Sequence, residues 1–211
     1  MFFSLNIFAG KETHEMMQQR YKSAVKAYDR YLIILILLLS SCINEDSRSM
    51  QSARQIIAQW TGREIQFPAE VHCFSSGRET TCIDPANQNY KILLYVDSVG
   101  CTSCRLQLPE WKQLIAEADS LFSGGVDFLF FFQPKKQNEK ELQFVFRQNG
   151  FQYPVFIDTN NEVGRLNKFP SKAEYQCFLL DGDNKVLLIG NPSVNTGIWQ
   201  LFKKYIAGGT L

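Results

Sequence analysis

The chain has 211 residues, 45% hydrophobic and 20% charged, with a net charge of +1. This is ordinary globular composition; it excludes a disordered chain and a basic nucleic-acid footprint, so no nucleic-acid partner is expected. Six cysteines are too few for a miniprotein built on disulfides and more than a reduced cytosolic protein needs. Their meaning therefore depends on the compartment.

The amino-terminal segment addresses that compartment. Tyr31 to Leu39 (YLIILILLL) is continuously apolar but well short of the ~20 residues that span a bilayer. Arg20, Lys22, Lys26 and Arg30 precede it, and Ser40-Ser41-Cys42 follow. A basic region, a short apolar core and small residues make a secretory signal. The ending Leu39-Ser40-Ser41-Cys42 resembles the bacterial lipobox, which implies an acylated Cys42 as the mature amino terminus. The alternative is an ordinary signal peptide, or a membrane anchor, in which Cys42 is incidental. The stretch before Arg20 is long for a signal, so Met16 or Met17 is a candidate true start. Asn44-Glu45-Asp46-Ser47 reads as a polar tether and resembles the acidic residues behind the lipid cysteine of surface-exported lipoproteins. Two or more acyl chains hold a protein stably on a membrane. The expectation is a chain lipid-anchored in a bacterial cell envelope, on its periplasmic face or outer surface. Residues 1–41 are then the signal, 42–88 a tether and amino-terminal extension, and 89–211 one folded domain.

Within the mature chain, Met50, Ala53, Ile56, Ile57 and Trp60 recur at helical spacing, with Gly62 beyond them as a C-terminal cap. Glu64 to Phe67 reads as a short strand stopped by Pro68, and Ala69 to Asn89 as polar and turn-rich. Cys73 and Cys82 flank Ser75-Ser76-Gly77. In an oxidising compartment they are candidates for a structural disulfide closing a small hairpin; separate free thiols are the alternative. His72 stands beside Cys73, but two histidines in the whole chain do not make a zinc site, and no metal or other cofactor is expected.

Lys91 to Asp97 (KILLYVD) has the density of a buried strand. From Arg105 onward Trp111, Leu114, Ile115, Ala118, Leu121 and Phe122 step helically, interrupted by Pro109, which predicts a kink. Val126 to Gln133 (VDFLFFFQ) is a second buried strand, whose Phe128, Phe130, Phe131 and Phe132 belong to a core. A helix over Asn138 to Gln148, a strand over Tyr153 to Asp158 and a short helix over Asn160 to Leu166 follow. Tyr175 to Leu180 and Lys185 to Ile189 are strands joined by the turn Asp181-Gly182-Asp183-Asn184. Ile198, Leu201, Phe202, Tyr205 and Ile206 form a closing amphipathic helix. This order predicts an α/β fold, a mixed sheet with helices on both faces and an amino-terminal helix and hairpin extension.

Gly100-Cys101-Thr102-Ser103-Cys104 sits where the first strand meets the first helix. Unpaired backbone N–H groups and partial positive charge at a helix start favour a thiolate. Two thiols in one turn can cycle between dithiol and disulfide. With the basic Arg105 behind Cys104, Pro109 five residues after it, and Phe178-Leu179-Leu180-Asp181-Gly182-Asp183-Asn184-Lys185-Val186 followed by Gly190, the stretch from about Asn89 to the carboxyl terminus resembles the thioredoxin-like fold. Within that fold it resembles the membrane-anchored, extracytoplasmic reductases of the TlpA/ResA type.

The resemblance implies thiol–disulfide exchange, with Cys101 as nucleophile and Cys104 as resolving cysteine. It also implies partners that are exported disulfide proteins or a membrane redox donor. Thr102-Ser103 would tune the potential and Arg105 would stabilise the thiolate, or simply be solvated. The chain departs from the family pattern at three points. Gly100 replaces the usual Trp–Cys pairing, Asp97 lies two residues nearer the cysteines than the family's buried acid, and Tyr175 occupies the slot of the cis-proline on which partner disulfides dock. Pro170 is the proline nearest that slot. Cys177, two positions after it, reads either as a thiol close to the pair or as a small buried hydrophobe. The alternative function is a non-catalytic binding or assembly module of the same fold, in which Cys101–Cys104 is a structural disulfide. A thiol metallochaperone is disfavoured by the scarcity of Met and His.

Overall fold

The computed structural model describes residues 17, 20–23, 25–26, 28–33, 49–68, 72–76, 78–82, 89–98 and 106–208. Two compact units divide the chain after Arg54. In the first, described residues between 17 and 33 are helical and exposed, and no described helix is long and apolar enough to cross a membrane. Cys42 and the residues around it lie outside the described residues.

The second unit holds a seven-stranded mixed sheet in the order β2-β1-β5-β4-β3-β6-β7. Its strands are β1 (His72–Ser75), β2 (Arg78–Thr80), β3 (Tyr90–Val96), β4 (Val126–Phe132), β5 (Val155–Ile157), β6 (Cys177–Asp181) and β7 (Val186–Ile189). β3, β4 and β5 are parallel, while β6, β7, β1 and β2 run antiparallel to their neighbours. The helices are α1 (residues 49–60), α2 (Leu108–Phe122), α3 (Glu139–Gln148), α4 (Glu162–Asn167) and α5 (Thr196–Ile206).

Side chains alternate across a strand, so each central strand feeds two cores. Ile92, Leu94, Phe128, Phe130 and Phe132 face α2, α3 and α5, where Trp111, Phe146 and Phe202 close the layer. Leu93, Tyr95, Leu129 and Phe131 face the other way, against Trp60 of α1 and Val163 of α4. The sheet is thus covered on both faces, as a parallel centre requires.

The expected strand over Glu64 to Phe67 is corrected: only Glu64 makes an isolated bridge, to Lys185. The segment is held by one further backbone bond, from the Ile65 N–H to the Asn184 carbonyl (2.9 Å), and by a side chain. Asn167 accepts from the Gln66 N–H (2.8 Å) and donates to the Gln66 carbonyl (2.8 Å), so a buried amide does the pairing a strand would have done. Ala69 to Asn89, read as turn-rich with a small hairpin flanked by Cys73 and Cys82, contains the hairpin β1–β2. β1 also pairs with β5, so the hairpin extends the main sheet. Cys73 and Cys82 form a disulfide, with Cα atoms 5.2 Å apart and a sequence separation of 9. A loop of that length stabilises by about 2–3 kcal/mol in the chain-entropy model. Reduction is expected to lower the melting temperature of wild type by more than that of a Cys73→Ser/Cys82→Ser variant in the same reductant.

The helix after the cysteine pair also differs from expectation. Leu106 and Gln107 are not helical, Gln107 has φ 51°, and α2 begins at Leu108 with Pro109 in its first turn. Proline is tolerated there because its missing N–H has no intrahelical acceptor. Pro109 therefore starts the helix and does not kink it.

Buried polar groups join the layers. β5 reaches only Phe130–Phe132 of β4; before that, the Phe128 N–H donates to the Tyr153 hydroxyl at 3.1 Å. Burial pushes that phenol up to about 12. Lys91, fully buried, donates to the Gly182 carbonyl (2.9 Å) and Asn184 Oδ1 (2.7 Å), so β3 grips the β6–β7 turn. Glu117 of α2 accepts from Trp199 Nε1 (2.8 Å) and Lys203 Nζ (2.6 Å) of α5. The hydrogen bond from Lys203, and then that from Trp199, holds its carboxyl below the usual range.

Gly164 is the glycine that α4 cannot replace. An added Cβ would overlap Asn161 Oδ1 and stand 2.6 Å from the Tyr95 hydroxyl, which donates to that same oxygen at 2.9 Å. Gly164→Ala must break this bond or move the helix, at an expected cost of about 1–3 kcal/mol. The shift in urea midpoint measures it, and an unchanged midpoint would show that the site relaxes freely.

Candidate functional site

β3 ends at Val96 and α2 starts at Leu108. The link between them carries Cys101, Thr102, Ser103, Cys104 and Arg105, all outside the described residues, as is Gly100. What the structure does describe is the frame at the carboxyl edge of β3 and β4. The Gln133 N–H donates to the Val96 carbonyl (2.8 Å), and the Ser98 N–H donates to Gln133 Oε1 (3.2 Å). Chain leaving β3 is thus tied to chain leaving β4. Leu106 is buried against the α2-side core. In open α/β sheets, ligands bind in the crevice at such carboxyl edges.

Opposite β3 at this edge is the entry to β6. Tyr175, the residue in the expected proline slot, lies in a 3-10 turn over Ala173–Tyr175, so β6 starts at Cys177 and not at Tyr175. All peptide bonds among the described residues are trans, that of Pro170 included. Gln176, only 3% exposed, separates turn from strand. Its carbonyl accepts from the Tyr95 N–H at 2.9 Å, which extends the β3–β6 ladder by one bond. Its side-chain Nε2 donates to the Pro170 carbonyl at 2.8 Å and lies 3.4 Å from Asp97 Oδ2. Asp97 is half-buried.

Cys177 lies within β6 opposite Leu94, is fully buried and makes no disulfide. Burial pushes its thiol well above the usual cysteine range, which suppresses the thiolate that exchange needs. Of its two readings, the small buried hydrophobe fits these surroundings. His72 stands 3.2 Å from Glu79 on the exposed β1–β2 hairpin. Among the described residues no three metal-ligating side chains converge.

A parallel β3–α2–β4 unit, then an antiparallel β6–β7 hairpin and a closing helix, with β4-β3-β6-β7 adjacent in that order, decides the architecture. The fold is thioredoxin-like.

No protein-family model matches the sequence, and no curated protein matches it. Solved structures that resemble this one include the thioredoxin domain of a thiol–disulfide oxidoreductase from Bacteroides vulgatus. It has 12% identity and a TM-score of 0.46 over 67% of this chain and 97% of that one. StoA from Bacillus subtilis shows 18% identity and a TM-score of 0.44 over 63% and 99%. An uncharacterized thioredoxin-like protein from Porphyromonas gingivalis shows 20% and 0.46 over 67% and 90%.

In this thioredoxin-like frame, sequence reasoning missed Gln176 and Lys91. A glutamine before an apolar strand carries no sequence signal. A lysine opening such a strand reads as its solvated end.

Proposed function

We propose that the chain is a lipid-anchored thiol–disulfide oxidoreductase of the bacterial envelope. Cys101 is the attacking cysteine and Cys104 the resolving one. The observation that carries this reading is where the two cysteines fall along the chain: both come after the last residue of β3, Val96, and before the first of α2, Leu108. In the forward reaction the Cys101 thiolate attacks one sulfur of a partner disulfide, forms a mixed disulfide and expels the partner's other sulfur as thiolate. The Cys104 thiolate then attacks the Cys101 sulfur and releases the partner's second thiolate. The products are a reduced partner and a Cys101–Cys104 disulfide, which an external dithiol must reduce before the next cycle. The lipobox-like Leu39-Ser40-Ser41-Cys42 supports the anchor, because acyl chains on Cys42 hold the domain at a membrane surface.

The Cys104→Ser variant tests the chemistry. It lacks the resolving thiol, so native envelope should yield covalent adducts that dithiothreitol releases; an empty trap counts against catalysis. Mass spectrometry of the mature amino terminus tests the anchor, and an unacylated terminus removes it.

A second reading is favoured by one feature. Tyr175 in a 3-10 turn occupies the position where the resemblance expects an extended, partner-docking proline. In that reading the domain is a binding or assembly module and Cys101–Cys104 is a structural staple. A strongly negative reduction potential, with no loss of function when both cysteines become serine, would distinguish it.

A further inference from the structure

The structure assigns a role to Gln176: we infer that it is the positioning residue that sets a partner-docking loop, residues 170–175, against the exit of β3. This rests on the oxidoreductase reading above and deepens it. Three independent bonds converge on this one residue. Its N–H donates to the Ala173 carbonyl (3.1 Å) and closes the 3-10 turn, while its carbonyl takes the Tyr95 N–H (2.9 Å) at the exit of β3. Its side-chain amide takes the Pro170 carbonyl at 2.8 Å. The same nitrogen lies 3.4 Å from the Asp97 carboxylate, one residue past β3. An amide nitrogen has two N–H groups, so it serves both acceptors without competition.

The consequence is geometric. Residues 170–175 connect α4 to β6 and hold no strand pairing of their own. Phe169 stacks on Tyr95 of β3 at 4.5 Å, and from Pro170 onward the buried Gln176 side chain supplies the hydrogen bond that ties the loop to the exit of β3. The missing strand-opening proline is thereby replaced by a hydrogen-bonded clamp.

Gln176→Met keeps the length and volume of the side chain and removes both N–H donors. With insulin as the disulfide probe and dithiothreitol as reductant, the variant should raise KM about five- to tenfold, the worth of one hydrogen bond. Its kcat and the Cys101–Cys104 reduction potential should stay at wild-type values. Gln176→Asn, which keeps the donors on a shorter stem, should recover part of that KM. Amide hydrogen exchange across residues 171–175 should quicken in Gln176→Met while that of β4 does not. An active wild type with unchanged KM in Gln176→Met overturns the clamp alone. A fall in kcat and potential together, with exchange quickened through β4, marks a general loss of structure and also overturns it. Wild type that neither reduces insulin nor forms mixed disulfides overturns the oxidoreductase reading, and the clamp's role falls with it.

Discussion

Replacing Cys101 with serine is expected to abolish catalysed disulfide exchange, a loss on the order of a thousandfold or more, because the hydroxyl is not ionised where a thiolate is. Cys104→Ser should behave differently. It keeps the first attack and loses the second, so turnover stops while mixed disulfide accumulates. The pair of variants therefore separates nucleophile from resolving group, and the measurement is insulin reduction alongside non-reducing electrophoresis. Comparable residual activity in both variants would remove the assigned order of attack. The buried Cys177 serves as internal control. Its thiolate is suppressed by burial, so Cys177→Ala should leave the exchange rate within about twofold of wild type. The same burial predicts that iodoacetamide labels Cys177 only after unfolding.

Phe130→Ala carries the largest expected stability cost, about 3–5 kcal/mol. Phe130 sits in the middle of β4, only 1% exposed, with ring centroids of Trp111 at 5.2 Å, Phe151 at 5.4 Å and Tyr153 at 5.8 Å, all edge-on. Phe128 and Phe132 stack beside it along the strand. These neighbours come from the strand itself, from α2 and from the segment leading to β5, so collapse into the void would have to move three elements together. The cavity should persist, and its cost adds to the lost transfer energy. For a unit of this size that corresponds to a fall in melting temperature of roughly 6–20 °C. Denaturant unfolding should show a lower midpoint with the same slope. A loss below about 1 kcal/mol would mean that this aromatic layer repacks, and the picture of a rigid core beneath the site would not stand.

These two expectations draw on different sources. The Phe128 to Phe132 run announces its burial in sequence, since five apolar residues bounded by turn signals read as a strand covered on both faces. The helical spacing of Trp111, Leu114 and Ala118, the turn at Asp181 to Asn184 and the amphipathic end of the chain were equally legible. Local periodicity decides such elements, and together they predict the mixed sheet that the structure has. The strand over Glu64 to Phe67 and the kink at Pro109 were misread for a shared reason. In both places a local signal had two readings. Pro109 suits the first turn of a helix as well as a kink. Glu64 to Phe67 alternates polar and apolar residues as a strand does, yet beyond its one bridge to Lys185 the Asn167 amide takes the Gln66 backbone.

The motif Cys101-Thr102-Ser103-Cys104 and the ending at Cys42, which resembles a lipobox, are readings of the sequence that lie outside the described residues. Alternation and turn chemistry determined the central strands and the closing hairpin, because these depend on residues close together in the chain. Only the tertiary structure decided what surrounds the exit of β3 and the entry to β6. Gln176 becomes a clamp because the backbone brings Pro170 and Asp97 to the same amide, and Lys91 becomes a core residue because the distant Gly182 and Asn184 offer it oxygens. Such roles arise from partners many residues away. A polar side chain is written into a sequence without its partner, and burial gives it meaning only when folding supplies one.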